Sequence, residues 1–425
     1  MKILSKVRAN QRGFGLVEIM VALVIGMVAT IVMLQIFSDS ETRNRNASSS
    51  GDAQSNGVIT FYQLQSNIQR AGFGINTISI FGCPMTWQVP SSSGSTIPIA
   101  KTVPLAPVSI NPTTGGGLLL PQGDPNTDTL LVFYGNSNGE PSGNIILTAS
   151  GSTYGVQMPT AFSPGDRVLT FQDTDPTFTC GATSAVIDRV TAINTANFTI
   201  TVANPVSPGV TAALASNGVQ LPGILNLGPG PDGNSAPPTT AHPTNGPTIV
   251  AYRVSNGNLT ACDFSTYDCS DTSKASNALY WVPLASNIVS MRAVYWNDTS
   301  AAWDGSSNTN NQTQPTDACG WAKIKAITLV LVARGDERDK NQVTFTATDG
   351  VTTPNAPTWS QNAVAPLVGT TGNLSPDTAT ADWKHYRYKT LESVIPIRNV
   401  NWMTKPVSSG GLSQRGLAFV CTPSP

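Results

Sequence analysis

The feature that most limits what this chain can become is an apolar run at its beginning. Phe14 to Phe37 covers 24 residues with a single charge, Glu18, and a single side-chain amide, Gln35. At about 1.5 Å per residue such a helix reaches roughly 36 Å, enough to cross a bilayer core of about 30 Å. Lys2, Lys6, Arg8 and Arg12 precede it with no acid among them, and the polar bulk of the chain follows. The positive-inside bias therefore keeps residues 1–13 in the cytoplasm and exports the rest. A secretory signal would carry a shorter apolar core and then a small-residue cleavage site, and no such site follows here. Glu18 is the anomaly, because an acid at mid-membrane depth costs about 2.5–3.5 kcal/mol on insertion scales. A carboxylate in that position calls for a role or a partner.

Composition bounds the exported part. The chain has 425 residues, ample for a sizeable core, and 12% of them are charged, against roughly 25% in ordinary soluble proteins. Without the four leader cations, 20 basic residues face 25 acidic ones, a net charge of −5. A mildly acidic chain with no basic run has no electrostatic footprint for nucleic acid. The six cysteines, Cys83, Cys180, Cys262, Cys269, Cys319 and Cys421, form no Cys-x-x-Cys pair, and the only histidines are His242 and His385. No zinc cage is expected from that set. An even number in an exported chain points to up to three disulfides, or to buried free thiols where pairing fails. Cys262–Cys269 is the favoured bridge, its short loop contributing about 2.5 kcal/mol through loop-closure entropy.

The segment Gly13-Phe14-Gly15-Leu16-Val17-Glu18-Ile19-Met20-Val21-Ala22-Leu23 resembles the class III signal of type IV prepilins and type II secretion pseudopilins. That signal joins a basic leader ending in Gly to an aromatic first mature residue, an acid at the fifth mature position and an apolar helix. Gly15 departs from it, since Thr or Ser is usual there. The resemblance implies a prepilin peptidase cutting between Gly13 and Phe14, N-methylation of Phe14, and a Glu18 carboxylate that neutralises the amino terminus of a neighbouring subunit. A unit pair at 4 Å and an effective dielectric of 20 attracts by about 4 kcal/mol before desolvation, which can offset burying the acid. The plainer reading is a signal anchor with an incidental Glu.

Beyond the apolar run the helix is expected to continue to residue 72, helped by acid-first i,i+4 pairs at Asp39/Arg43 and Glu41/Arg45 and weakened by Ser48 to Gly51 and by Gly57. Val58, Phe61, Tyr62, Leu64 and Ile68 supply a stripe for packing on something. Residues 73–247 read as a β-rich insertion with strands at Leu130 to Tyr134, Ile145 to Leu147 and Arg167 to Phe171, ending in a Gly/Pro-dense loop over 223–247. From 248 to 425 an antiparallel sheet domain is expected. Its strands lie at Ile249 to Val254, Leu259 to Cys262, Ile288 to Tyr295, Ile324 to Arg334 and Arg387 to Ile397, with an Asn256-Gly257 hairpin. The fold class is α+β: a long N-terminal helix, transmembrane over 14–37, whose second half lies on a sheet.

Ile68 to Phe73, Tyr252-Arg253-Val254, Ile288 to Tyr295 and Pro396-Ile397-Arg398-Asn399 are similar to PilW-type minor pilins and, more distantly, to J-type minor pseudopilins. What the resemblance implies is a non-enzymatic minor pilin that helps initiate or cap a type IV pilus. Its partners would be prepilin peptidase, other minor pilins, the major pilin and the inner-membrane assembly platform, with the lipid bilayer holding the helix before assembly. Localisation would be the inner membrane, then the periplasm and the pilus tip at the cell surface. A pseudopilin of type II secretion or DNA uptake, and a pilus-displayed adhesin, are the alternatives. No cofactor is expected. Gly135-Asn136-Ser137-Asn138-Gly139 fits a nucleophile-elbow pattern, but Glu140-Pro141-Ser142-Gly143 cannot open the helix an elbow needs, so a polar turn is expected. Asp173/Asp175 and Asp336 to Asp339 lack EF-hand spacing and read as solvated turns. Trp281, Trp296, Trp303 and Trp321 are expected to pack rather than stack on sugars.

Overall fold

A computed structural model of the chain describes residues 15–75, 80–90, 96–114, 116–136, 143–171, 185–215, 222–229, 247–264, 267–299, 307–315, 318–368, 374 and 381–401. Helix α1, Leu16–Arg70, is one element of 55 residues and about 83 Å. No proline interrupts it, and it passes through Ser48 to Gly57 unbroken.

Two antiparallel sheets accompany the C-terminal half of α1. The first has the order β17 (Asn308–Asn311), β16 (Ile288–Asp298), β18 (Ile324–Arg334) and β19 (Tyr388–Pro396). Almost every residue of β18 is buried, because both faces of this sheet are covered. Ile327, Leu329, Leu331 and Ala333 face the core that includes α1, while Val330 and Val332 face Trp359, Ala365 and Leu367. The second sheet runs β15 (Val282–Ser286), β14 (Asn258–Asp263), β13 (Thr248–Ser255), β6 (Leu130–Tyr134) and β3 (Val108–Ile110). The β13–β14 hairpin turns at Asn256 and Gly257, with φ of 51° and 69°, as the Asn-Gly pair predicts.

The third sheet closes on itself. Strands β7 (Asn144–Ser150), β8 (Thr153–Val156), β9 (Asp166–Phe171), β10 (Ala185–Asn194), β11 (Thr199–Val202) and β12 (Gly223–Pro229) pair in the ring β7-β8-β11-β10-β9-β12 and back to β7. All six pairings are antiparallel, so the ring leaves no free edge among its own strands. Ile146, Tyr154, Val156, Val168, Val190, Ile200, Val202 and Ile224 fill it, with Val210 from α2 (Pro208–Ala215). Strand β1 (Pro84–Pro90) joins the outside of β10 in parallel and pairs with β2 (Thr96–Pro104); β4 (Thr113–Thr114) and β5 (Gly117–Leu118) form a separate small ribbon. The wall shared with the main core obeys the strand period of two: Val168 and Ile224 point into the ring, whereas Leu169, Phe171, Leu225 and Leu227 join the core around α1.

Two expectations are corrected here. Residues 223–229, read as loop, form strand β12; the alternation of Ile224, Leu225 and Leu227 was masked by neighbouring Gly and Pro. And β3 and β6, from before residue 247, pair with β13 from after it, so the second sheet draws on both sides of the expected boundary. The ring from 144 to 229 leaves and re-enters the chain between two paired strands, β6 and β13.

Candidate functional site

The N-terminal half of α1 is built to be covered by something other than this chain. The most apolar 18 residues within Leu16–Glu41 have a mean hydropathy of 2.6, and none of them is buried. Leu16, Met20, Leu23 and Phe37 project freely, while Thr30 returns its hydroxyl to the Gly26 carbonyl, so that no polar donor is left over on that side chain. Glu18 is exposed in the first turn, its backbone N–H donating to the Gly15 carbonyl at 3.0 Å. A carboxylate there lies near the unpaired N–H groups of the helix start, where negative charge is favoured. Gly13 and Phe14 lie outside the described residues, as does the Arg43 side chain; Glu41 pairs with Arg45 at 3.5 Å as the spacing predicts.

The other half of α1 docks through a stripe that keeps the expected Leu64 and Ile68 but takes small residues in place of Val58 and Tyr62. Ala53, Gly57, Thr60, Leu64, Ile68 and Ala71 are buried. Val58 and Tyr62, at 49% and 71% exposure, lie outside the contact, and Phe61 is partly buried. The reason is closeness. A Cβ on Gly57 would stand 2.6 Å from Leu391 Cδ1 and 3.2 Å from Ala333 Cβ, so small residues let the helix lie against β18 and β19. A hydrophobicity pattern favours the larger Val and Tyr and misses this. Thr60 enters the contact because its hydroxyl donates to the Asn56 carbonyl at 2.7 Å. The helix end is held by tertiary contacts: Asn399, in α4 (Arg398–Asn401), donates to the Arg70 and Ala71 carbonyls at 2.9 and 3.0 Å, and Gly72 N–H donates to the Phe133 carbonyl at 2.8 Å.

The remaining sequence motifs meet where helix and sheets join. Tyr252 OH accepts from the Asn67 amide of α1 at 2.6 Å, and burial pushes the phenol up. Arg253 stacks over Trp281 at 4.2 Å and donates to the Gln122 and Ala275 carbonyls. Tyr295 OH accepts from Ile110 N–H at 2.8 Å and donates to the Val108 carbonyl at 3.2 Å, tying β16 to β3. At the centre is a residue the sequence reading missed. Asp128, buried just before β6, accepts from Arg292 and Asn111 at 2.9 Å on one oxygen; on the other it accepts from Ala293 N–H at 2.9 Å and Gln312 at 2.6 Å. Burial pushes its carboxyl up; Arg292 and the hydrogen bonds pull the other way without reversing the shift. A single acid ahead of an apolar strand was its only trace in the sequence.

Cys262 and Cys269 are bonded, with Cα atoms 5.8 Å apart, and Cys83 and Cys319 are disulfide-bonded as well. Trp281 and Trp321, the latter in α3 (Ala318–Lys323), are buried, and Trp321 packs edge-on to Tyr295 at 5.7 Å. Ser137, His242, Asp173, Asp175 and Trp303 lie outside the described residues. Among the described residues, the next element after Ser137 is strand β7. In the acid cluster Arg338 pairs with Asp382, Asp339 with Arg387, and Asp336 accepts from Asn287. His385 Nδ1 meets the Asp339 carbonyl at 2.9 Å.

A long helix with one end free and apolar and the other laid against an antiparallel sheet defines a pilin-like protein. Comparison with known families agrees. Residues 8–34 match the Prokaryotic N-terminal methylation motif, and residues 252–399 match PilW, Type IV Pilus-assembly protein W. A similar solved structure is the Type IV-like pilin TTHA1219 from Thermus thermophilus, at 16% identity over 36% of this chain and 68% of that one, with a TM-score of 0.19. That superposition is too slight to transfer any property. No curated protein matches the chain. The chain is therefore similar to type IV prepilins at its N terminus and to PilW over residues 252–399.

Proposed function

We propose that this chain is a non-enzymatic minor pilin that takes part in initiating or capping a type IV pilus. The observation that carries this reading is the division of α1: an apolar half from Leu16 to Glu41 with nothing packed on it, continuous with a half locked under β18 and β19. An unbroken rod joining the two transmits the position of the membrane-embedded end to the exported domain. Prepilin peptidase removes residues 1–13 between Gly13 and Phe14, and Phe14 becomes N-methylated. Lipid covers the apolar half until other minor pilins and the major pilin replace it on the assembly platform. Glu18 then sets axial register by pairing with a neighbour's amino terminus.

N-terminal sequencing of the mature protein tests the processing: it should begin at methylated Phe14, and an intact Met1 refutes it. Deleting the gene should abolish surface fibres and twitching. Blocked release of exported proteins with fibres intact would assign the chain to a secretion pseudopilus instead. A second reading, display of residues 74–248 as an adhesin, is favoured by the six-stranded ring set between β6 and β13. Its excision should then remove attachment and leave assembly intact.

A further inference from the structure

A groove of about 890 Å³ opens between the last turns of α1 and the β13–β15 side of the second sheet. That lies within the range of roughly 300–1,000 Å³ typical of small-molecule sites. One wall carries Tyr62, Gln63, Asn67 and Arg70 from α1; the other carries Asp263, Tyr267 and Tyr280, with exposed Val282 and Leu284 beside them. The Tyr267 and Tyr280 rings pack 4.8 Å apart, both half-buried, and Tyr62 faces them from an exposed position that helix packing does not require.

The polar groups are as informative as the rings. Among the described residues, the hydroxyls of Tyr267 and Tyr280, the Gln63 amide and the Arg70 guanidinium have no hydrogen-bond partner in the protein. Asn67 is different: it donates to Tyr252 OH at 2.6 Å and accepts from Tyr134 OH at 3.4 Å, which fixes the deep wall. The lining charges come as one of each sign, Arg70 and Asp263, and Lys274 lies 5.8 Å from the Tyr280 ring centre at its edge. The Cys262–Cys269 bridge brackets Asp263 and Tyr267 and holds that wall before any ligand arrives.

We infer that this groove binds a neutral oligosaccharide. A pyranose offers an apolar face of C–H bonds and a rim of hydroxyls, each both donor and acceptor. Tyrosine rings with free hydroxyls, interleaved with amide, guanidinium and carboxylate, match both halves of that surface. An apolar helix from another subunit would leave the Tyr267 and Tyr280 hydroxyls, the Gln63 amide and the Arg70 guanidinium desolvated and unpaired, at a cost. A proline-rich peptide is the rival occupant for a tyrosine-lined groove.

The test uses the full chain in a detergent without a sugar headgroup and saturation-transfer NMR with cellotriose and chitotriose, which separate hexose from N-acetylhexosamine chemistry. Transfer to ring C–H protons of at least one trisaccharide is expected, with affinity falling at least tenfold in Tyr280→Ala and in Tyr62→Ala. The second variant changes an exposed residue, so it keeps the test valid if the first misfolds. Reducing Cys262–Cys269 should weaken binding several-fold. No transfer from either sugar, or unchanged affinity in Tyr62→Ala, overturns the inference. So does competition-free binding of a proline-rich peptide with the sugars silent.

Discussion

Replacing Asp128 by Ala should loosen the junction between the first and second sheets, since Asp128 stands just before β6 and accepts from Arg292 and Ala293 of β16. Four donors converge on this carboxylate: Arg292, Asn111, Gln312 and the Ala293 N–H. The Arg292 side chain is 14% exposed and the Asp128 side chain 1%, so the guanidinium would lose its counter-charge in a largely dry site. Removing one member of such a pair costs about 3–5 kcal/mol. Unfolding of the full chain in detergent, followed by near-ultraviolet circular dichroism of the buried tryptophans, reads that loss. A change below about 1 kcal/mol would refute the assignment of Asp128 as the hub, since each stranded buried donor alone is worth about 1–3 kcal/mol. The double variant Asp128→Leu/Arg292→Met should recover much of the loss, because an apolar pair of similar volume needs no counter-charge. The pH dependence has a definite sign. The folded carboxyl is raised above its ordinary value, so its contribution is complete below about pH 4, the unfolded pKa, and declines as pH rises through the folded one. The stability gap between the natural protein and Asp128→Asn should therefore widen from pH 7 to pH 4. A gap that narrows toward acid would mean that Arg292 outweighs burial.

Gly57→Leu should destabilise by about 1–3 kcal/mol, because the side chain overlaps Leu391 and Ala333. Gly51→Leu, with nothing near its Cβ, should gain a few tenths to about 1 kcal/mol in helix propensity; equal effects in thermal unfolding would refute the docking geometry. Removing the Cys262–Cys269 bridge as a double Ser variant should cost about 2.5 kcal/mol in denaturant unfolding, and a loss under about 0.5 kcal/mol would contradict it. Asn399→Ala should cost about 1 kcal/mol and speed amide exchange in the last turn of α1 before any global change; unchanged exchange there would show that the cap is dispensable.

Local signals carried much of the fold. Leu130–Tyr134 and Ile324–Arg334 emerge as strands with the expected bounds, because a short apolar run bounded by polar turns has few other uses. The Asn256-Gly257 hairpin followed from positive φ alone. The Tyr252-Arg253, Met291 to Tyr295 and Asn399 motifs were visible as patterns, yet their common purpose was not. Tyr252 reaches α1 across 185 positions of sequence, and Asn399 reaches Arg70 across 329.

What the sequence alone determined is therefore the kind of helix this protein has and the local form of its strands. A run of apolar residues with a basic leader and one acid is set by the energetics of bilayer insertion, which depends on composition and order and not on any partner within the fold. Tertiary structure decided which face of the helix docks, which strands share a sheet, and where Asp128 finds its donors. Those outcomes depend on distance: Gly57 matters because β18 and β19 approach it, and strands β7 to β12 form a ring because β12 returns to β7 and β9. No window of neighbouring residues contains that information, since close contact and buried hydrogen bonding belong to pairs the chain brings together only when folded.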